Sequence, residues 1–336
     1  MKPLSELLPL LDTPCRIFIT CHTKPDGDAA GSTLGLAHYL RAMGHEATVV
    51  VPSELPDFLA WLPGADTVID AEKKPESAAR AVADADFIFC LDFNDLSRTK
   101  VLETLLAAAS QPRVLIDHHM FPKPSFAYGL SVPEASSTCE LVYDFICMAG
   151  HQDRISVEAA TCLYTGLVTD TGSFRFPATA ASTHRMAAHL KDLGLLHAPI
   201  HEAVSDSWSE SRMRFIGYAL IERMQIFPEH KAGLIAISRA DLKLFGLTTG
   251  DTEGLVNYPL SIAGVCFATL ITERPDEVKL SFRSKGDLDV NAFARTYFNG
   301  GGHFNASGGR SERGFNETVD YFISVLPHLA PLREQL

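Results

Sequence analysis

The chain has no apolar run of the roughly 18 residues that a membrane-spanning helix requires, and no low-complexity tract. Its first residues, Met1-Lys2-Pro3-Leu4-Ser5-Glu6, put a proline and an acid where a secretory leader carries its apolar core. None of its seven cysteines forms a Cys-x-x-Cys pair. They stand at 15, 21, 90, 139, 147, 162 and 266, several inside apolar runs such as Phe89-Cys90-Leu91 and Val265-Cys266-Phe267. Buried free thiols in a reducing cytoplasm, with no membrane association, are the expectation. Three catalytic signatures are missing as well: a Gly-x-Ser-x-Gly elbow, a Gly-x-x-x-x-Gly-Lys-Ser/Thr phosphate loop and a Gly-x-Gly-x-x-Gly fingerprint. Serine hydrolase, nucleotide triphosphatase and dehydrogenase therefore drop out. Basic residues are in deficit, 29 against 41 acidic, for a formal charge of −12. That field repels a long phosphate backbone, so a small nucleotide or short oligonucleotide suits the chain better than a long duplex.

What is present reads as an ordinary globular protein, with 46% hydrophobic and 21% charged residues. At 336 residues the chain exceeds the size at which one core usually keeps growing, which favours two domains. Through the first half, β-branched apolar runs at 16–20, 47–51, 67–70, 87–92 and 113–117 alternate with helical patterns at 29–43, 77–83, 97–109, 136–149, 157–168 and 182–193. That alternation predicts an α/β fold, a parallel sheet flanked by helices. The pattern loosens over 194–211, around Pro199, before a helix expected at 211–224. Strands at 231–238, 264–273 and 277–284, a helix opened by Asp287 or Asp289, a glycine-rich loop at 299–309 and a helix at 317–326 predict a second, smaller α+β domain. The expected boundaries are 1–195 for the first domain, 196–225 for a linker and connecting helix, and 226–336 for the second.

The run His22-Thr23-Lys24-Pro25-Asp26-Gly27-Asp28-Ala29-Ala30-Gly31-Ser32 follows the first strand and offers one imidazole and two carboxylates in a small-residue loop. Asp92 closes the run Phe87 to Leu91, the triplet Asp117-His118-His119 closes Val114 to Ile116, and Asp170 ends Leu167-Val168-Thr169. In a parallel sheet such polar residues, at the carboxyl ends of strands, converge on one crevice. Each alone has a plainer reading, since strand-end aspartates often cap the next helix and most lone histidines are structural. Together they suit two divalent ions about 3.5 to 4 Å apart, the arrangement that generates a hydroxide and steadies the leaving oxygen in phosphoester hydrolysis. The expected ligands are His22, Asp26 and Asp92 for one ion and Asp28, Asp92, His118 and Asp170 for the other, with Asp92 bridging. His119 is expected to touch substrate phosphate, and Asp117 to orient His118 or a water. Asp92, His118, His119 and Asp117 are thus the expected catalytic set. Mixed oxygen and imidazole ligation suits Mn2+, with Mg2+ or Co2+ as alternatives.

These motifs, His22-x-x-x-Asp26-x-Asp28-Ala29-x-Gly31-Ser32, Asp92, Asp117-His118-His119 and Thr169-Asp170-Thr171-Gly172, resemble those of the DHH phosphoesterase family, in the family's order. Gly300-Gly301-Gly302-His303-x-x-Ala306 is similar to the loop of the DHH-associated C-terminal domain, so the resemblance covers nearly the whole chain. It implies a manganese-dependent phosphohydrolase with its active site in a cleft between two domains. Lys24 before Pro25 departs from the family pattern. In the second domain, alternation over Val278 to Gly286 predicts a strand bearing Lys279, Ser281 and Arg283 on one face. Arg283 could clamp a terminal phosphate, with Ser284 or Lys285 assisting, and Gly301, Gly302 and His303 could approach a phosphate or sugar. Family members acting on short nucleotides carry a similar Arg-Ser pair, which favours Arg283, Ser284 and His303 as substrate contacts over a solvated edge strand. Arg175 is a further candidate. Phe174, Phe176 and Phe304 could stack on a base, although core packing is their commoner use.

Four substrate readings follow. The first is hydrolysis of short oligoribonucleotides and of 3′-phosphoadenosine 5′-phosphate, the activity associated with two-domain relatives of this length. The second is a cyclic or linear dinucleotide phosphodiesterase, and the third an inorganic pyrophosphatase or exopolyphosphatase. A processive single-strand exonuclease of the RecJ kind comes last, because it wants a longer chain and a basic channel. A catalytically silent nucleotide-binding module is disfavoured by the full set of ligands. Whether the chain forms a homodimer is left open.

Overall fold

In the computed structural model, which describes residues 1–206, 208–247 and 250–329, the apolar runs of the first half become strands of one sheet. The elements run β1 Arg16–Thr20, α1 Gly27–Ala42, β2 Glu46–Val51, β3 Ile69–Asp70, α2 Pro75–Asp84, β4 Phe87–Leu91, α3 Glu103–Ala108, β5 Arg113–Asp117 and β6 Tyr128–Ser131. Four helices follow, α4 Thr138–Met148, α5 Val157–Asp170, α6 Ala181–Asp192 and α7 His197–Ser205. The six strands are all parallel, in the order β3-β2-β1-β4-β5-β6. Parallel strands buried on both faces read as unbroken apolar runs, and alternate residues divide between the two sides. Ile17, Ile19, Phe89, Leu91, Val114 and Ile116 pack into a core with α1, α4 and α5. Phe18, Ile88, Cys90 and Leu115 face the opposite core with α2 and α3.

The packing of α1 on α5 sets the site. Gly27, Gly31 and Gly35 recur every fourth residue on α1, and a Cβ on each would meet Thr169, Cys162 with Gly166, and Leu163 with Ala159 in turn. The order is antiparallel, so the start of α1 lies beside the end of α5. A Cβ on Gly166 would lie 2.3 Å from the Cys139 sulfur and 2.9 Å from both Cα and Oδ1 of Asp28.

Two elements of this unit escape the sequence pattern. The edge strand β6, Tyr-Gly-Leu-Ser, is half-buried along its length and shows no contrast between faces. Helix α7 carries Pro199 in its first turn, where a missing N–H costs nothing, and is anchored by buried Ile200. The chain divides between Ser207 and Trp208. The stretch 196–225, read as linker and connecting helix, accordingly contributes α7 to the first unit and most of its remainder to the second; Ser207 itself lies outside the described residues.

The second unit runs α8 Glu210–Tyr218, β7 Met224–Phe227, β8 Ala232–Ile237, α9 Arg239–Leu244, β9 Phe267–Glu273, β10 Val278–Ser284, α10 Val290–Tyr297, β11 Gly301–Gly302, β12 Ala306–Ser311 and α11 Phe315–Val325. Its sheet has the order β11-β12-β10-β9-β8-β7, with β8 and β9 parallel and the other pairs antiparallel. Phe267, Phe282, Phe293, Phe298 and Phe322 fill the core on one face, and Phe215, Ile235, Ile237 and Leu270 that on the other. Asp289 caps α10 by accepting from the Ala292 amide at 2.9 Å. The helix expected at 211–224 holds as α8 to Tyr218 and continues as a π-helical segment over Ala219–Arg223 before β7 begins at Met224. The expected loop 299–309 is instead the β11–β12 hairpin. Glycines carry no side-chain alternation, and a Cβ on Gly300 would stand 2.0 Å from the Gly308 carbonyl oxygen, a backbone approach that only glycine permits. The last stretch of the expected second domain, 330–336, lies outside the described residues. Among the described residues no helix is long and apolar enough to cross a membrane.

Candidate metal centre

Strand β1 delivers His22, and the chain then turns into α1. Asp26 caps that helix, accepting from the amides of Asp28 at 3.1 Å and Ala29 at 3.0 Å through Oδ1. Its other oxygen lies 3.8 Å from His22 Nε2. The cap and the candidate ligand are therefore one residue using two oxygens. Asp28, in the first turn of α1, is wholly buried against the start of α4, whose first amides satisfy it: Thr138 N donates to Oδ2 at 2.6 Å and Cys139 N to Oδ1 at 2.9 Å. Those amides form the positive end of a helix capped by Ser137, a natural seat for a carboxylate.

Asp92 follows β4 at φ +61, in the left-handed region that a non-glycine residue adopts at a cost. The turn brings its carboxylate to the centre. Oδ2 lies 3.3 Å from His22 Nε2, and Oδ1 lies 3.5 Å from His118 Nε2 and 3.7 Å from His119 Nδ1. Thr138 Oγ1 donates to Oδ1 at 3.0 Å. Asp170, the last residue of α5, places Oδ2 at 3.3 Å from His118 Nε2, and Asp28 Oδ2 is 3.8 Å from the same nitrogen.

The donor set fits divalent ions. Each of two imidazoles is held by its Nδ1 against a carbonyl, His22 on Thr23 at 2.9 Å and His118 on Ala135 at 3.2 Å. A carbonyl can only accept, so Nδ1 carries the proton and the neutral ring turns the Nε2 lone pair toward the carboxylates. Separations of 3.3 to 3.8 Å between these nitrogens and the oxygens exceed ordinary hydrogen-bond length. They approach the ~3 to 3.5 Å between neighbouring ligands that each stand about 2.0 to 2.2 Å from a common ion. His22, Asp26 and Asp92 form one three-donor group, Asp28, Asp92 and His118 a second, and Asp92, Asp117 and His119 a third. Asp92 belongs to all three.

The electrostatics agree. Burial alone would depress the His22 pKa, but its contact with Asp92 and the charge of Asp26 lift it to about 9. His118 is likewise raised, Asp92 and Asp170 overcoming its burial. Burial and the adjacent Asp92 push Asp28 up to about 7, and burial with Asp28 nearby pushes Asp170 up. Burial opposes ionisation of Asp92 too, but His118 and His22 hold its carboxyl well below the usual range. Crowded carboxylates that retain protons, beside imidazoles that take them up, are a cluster short of positive charge, which a divalent cation supplies.

Of the two roles expected of Asp117, orienting His118 or a water, the first falls to another group. Asp117 itself accepts from His119 Nδ1 at 2.7 Å, while the Ala135 carbonyl orients His118. Lys24, at φ +55, donates its amide to Ser53 Oγ at 2.7 Å and so shapes the turn after His22. The sequence reading missed Thr138 and Cys139. Their signal was the capping pattern Ser137-x-x-Glu140, legible as a helix start but silent about what that start would hold.

The candidate substrate residues of the second unit fare unevenly. Arg283 on β10 donates Nη1 to its neighbour's carbonyl, Phe282 O, at 2.9 Å. The Ser284 hydroxyl is consumed by the fold, donating to Leu288 O at 2.6 Å and accepting from Asn305 Nδ2 at 2.8 Å, so the expected substrate contact is not offered by that group. Lys285 donates to the Leu260 carbonyl. Gly301 pairs with Gly308 across the hairpin, and Gly302 donates its amide to Asn291 Oδ1 at 3.1 Å, so that amide does not cradle phosphate. His303 opens the turn that closes at Ala306, its amide donating to Ala306 O at 2.8 Å. Back in the first unit, Arg175 Nε donates to Gly172 O at 2.7 Å, and Phe174 stacks on His184 with ring centres 5.2 Å apart.

Residues 16–167 match the DHH family, N-terminal domain, and residues 237–327 the DHHA1 domain. The bifunctional oligoribonuclease and PAP phosphatase NrnA of Thermus thermophilus is 31% identical over 310 residues, 92% of this chain and 87% of that protein. The chain belongs to the DHH phosphoesterase family. Another DHH relative, the cyclic-di-AMP phosphodiesterase GdpP of Geobacillus thermodenitrificans, is 28% identical over 93% of this chain but only 48% of its own length. Among solved structures, an exopolyphosphatase-related protein from Bacteroides fragilis superposes with a TM-score of 0.94 at 37% identity, covering 98% of this chain and 96% of that one.

Proposed function

We propose that this DHH protein is a cytoplasmic, manganese-dependent phosphohydrolase that cleaves short oligoribonucleotides and removes the 3′ phosphate of 3′-phosphoadenosine 5′-phosphate. The observation that carries the reading is Asp92, 2% exposed, held at positive φ and common to every candidate ligand group of the first unit. The substrate class rests on likeness to the Thermus oligoribonuclease and PAP phosphatase, which extends over 92% of this chain.

His22, Asp26 and Asp92 would hold one ion, and Asp28, Asp92, His118 and Asp170 the second. Bound divalent ions polarise a phosphoryl group and make water nucleophilic at neutral pH. The chain's own residues do the positioning. The first amides of α4 and the Thr138 hydroxyl fix Asp28 and Asp92. The Thr23 and Ala135 carbonyls keep the His22 and His118 protons on Nδ1. Asp117 holds the Nδ1 proton of His119, so that ring meets the substrate through Nε2 and can donate to a phosphoryl oxygen when protonated. Arg283 and His303 would bind the far phosphate or sugar of the substrate.

The test is product release in Mn2+, with EDTA as control, from a 5′-phosphorylated RNA dinucleotide, an RNA of five residues, 3′-phosphoadenosine 5′-phosphate, cyclic di-AMP and pyrophosphate. Preference for the short RNAs and the adenosine bisphosphate is expected. Activity confined to cyclic di-AMP or to pyrophosphate would overturn the substrate reading and leave the metal centre standing, whereas no hydrolysis with Mn2+, Mg2+ or Co2+ would overturn both.

A further inference from the structure

Three arginines of the first unit are half-buried: Arg41, Arg98 and Arg113. Two of them are spent on the fold. Arg41 donates Nε and Nη2 to the Ala47 carbonyl at 3.0 and 2.7 Å, and Arg113 donates to the carbonyls of Ser125, Leu106 and Ala109 at 2.7 to 3.1 Å. Among the described residues the Arg98 guanidinium makes neither a hydrogen bond nor an ion pair. Five N–H donors partly withdrawn from water without an acceptor are an arrangement that a bound anion completes.

Arg98 is tied to the metal centre. Beyond Asp92 the chain makes a 3-10 turn, Leu96–Leu102, whose cap Asp95 accepts the Ser97 amide at 3.0 Å and whose Leu96 and Thr99 are buried. Arg98 rides on that turn, and its carbonyl accepts the amide of Thr23, the residue after His22, at 2.9 Å. One backbone bond thus joins it to the loop that carries His22 and Asp26. Its charge reaches the same place. Burial and the Arg98 charge oppose protonation of His22, against the Asp92 contact and the Asp26 charge that favour it. Burial, Asp92 and Asp26 push the Cys21 thiol up, and Arg98 again opposes them. The guanidinium therefore stands within electrostatic reach of these carboxylates yet is paired with none of them.

We propose that Arg98 is a catalytic residue whose guanidinium takes non-bridging oxygens of the phosphoryl group under attack, beside the His22, Asp26 and Asp92 group. The inference rests on the phosphohydrolase reading above and deepens it. A planar fork of N–H donors matches two phosphoryl oxygens at once. Negative charge that those oxygens gain as the bond breaks makes the contact stronger in the transition state than in the ground state. Because the contact is with the phosphoryl group and not with a base or sugar, it serves the RNA dinucleotide and 3′-phosphoadenosine 5′-phosphate alike.

The test measures turnover of both substrates, inhibition by inorganic phosphate and Mn2+ affinity by calorimetry in wild type, Arg98→Met, Arg98→Lys and Lys100→Asn. Lys100→Asn removes one neighbouring charge from an exposed residue at φ +48, a conformation asparagine tolerates. Arg98→Met is expected to lower kcat/KM about 100-fold on both substrates and to weaken phosphate inhibition, with Mn2+ affinity unchanged. Arg98→Lys, which keeps the charge without the fork, should lose about 10-fold, and Lys100→Asn should match the wild type. A fall in Mn2+ affinity that accounts for the lost turnover would overturn the inference, because Arg98 would then act through the His22 loop. Wild-type turnover in Arg98→Met, or an equal loss in Lys100→Asn, would overturn it too. Should Arg98→Met fail to fold, Arg98→Lys decides: the 10-fold loss with weakened phosphate inhibition upholds the inference, and wild-type behaviour overturns it. A wild-type protein that hydrolyses neither substrate would sink the parent reading and this role with it, whereas active wild type with unaltered Arg98 variants would overturn this role alone.

Discussion

Gly31→Ala tests whether the close crossing of α1 and α5 sets the metal centre. The new Cβ would stand 2.5 Å from the Cys162 carbonyl oxygen, 3.0 Å from the Gly166 nitrogen and 3.1 Å from the Cys139 sulfur. The two nearest atoms are backbone and cannot rotate away. Reaching an ordinary 3.4 Å contact requires the helices to part by about 0.9 Å near Gly31. Asp28 lies one turn away on α1, and Asp170 one turn from Gly166 on α5, so both carboxylates move with their helices. Functional constellations tolerate about 0.5 Å, and a 1 Å misplacement can cost about 100-fold in rate. Overpacking should also destabilise the fold by roughly 1 to 3 kcal/mol, a fall in Tm of several degrees. Gly35→Ala is the control, because its Cβ would meet chiefly the Leu163 side chain, 2.7 Å away at Cδ2, which can shift two turns from Asp28. Thermal unfolding, Mn2+ titration calorimetry and hydrolysis of the RNA dinucleotide should show both variants folded. Only Gly31→Ala should lose Mn2+ affinity and about 100-fold in kcat. Wild-type metal affinity and turnover in Gly31→Ala at a reduced Tm would refute the argument, as would equal losses in Gly35→Ala.

Asp92→Asn keeps a side chain that accepts the left-handed backbone but removes a ligand from both proposed ion sites. It should abolish hydrolysis, by more than ~1,000-fold, together with the rise in Tm that Mn2+ gives the wild type; a retained Mn2+-dependent Tm shift would show that Asp92 is not shared. Thr138→Val deletes the 3.0 Å donor to Asp92 but leaves the α4 amides on Asp28, so calorimetry should find Mn2+ affinity weakened about 10-fold in a protein of similar stability. The metal-free protein should lose stability as pH rises. Asp28 keeps its proton to about 7 in the fold against 3.8 for the ordinary side chain, so stability falls across that interval. The stabilising charge of His22 is fully present below 6.5 and is lost as pH rises through about 9. Both trends have one sign, so Tm in EDTA should decline from pH 6 to pH 9 and decline less in excess Mn2+, which displaces these protons. A flat profile in EDTA would contradict the assignment.

The first unit was legible because its strands are buried on both sides. Runs such as Arg16–Thr20 and Arg113–Asp117 are unbroken apolar stretches between an opening arginine and a polar last residue, so their bounds and the strand-end positions of His22, Asp92 and His118 could be read directly. Elements without that contrast were not legible. The strand β6 is half-buried throughout, α7 carries a proline, and β11 and β12 are largely glycine and small residues. Side-chain roles that turn on which of several partners the assembled fold presents were equally hidden. Asp117 and His119 are two residues apart, yet nothing local favours their bond over one between Asp117 and His118. Ser284 reads as a phosphate contact until Leu288 and Asn305 claim its hydroxyl.

By itself the sequence determined the chemical inventory: three strand ends, a capped helix start and a helix end that together supply imidazole and carboxylate but no nucleophilic serine and no phosphate loop. Residue type and hydrophobic period are local properties, and they suffice for the α/β class and the list of candidate ligands. Only the tertiary structure decided which oxygen faces which nitrogen. Asp28 meets Thr138 and Cys139 across 110 and 111 residues of chain, Asp92 is driven to φ +61, and α1 rests on α5 through glycines whose spacing does not name the helix they meet. Those arrangements arise from close packing and from satisfying buried carboxylates, both of which depend on the whole unit being assembled at once.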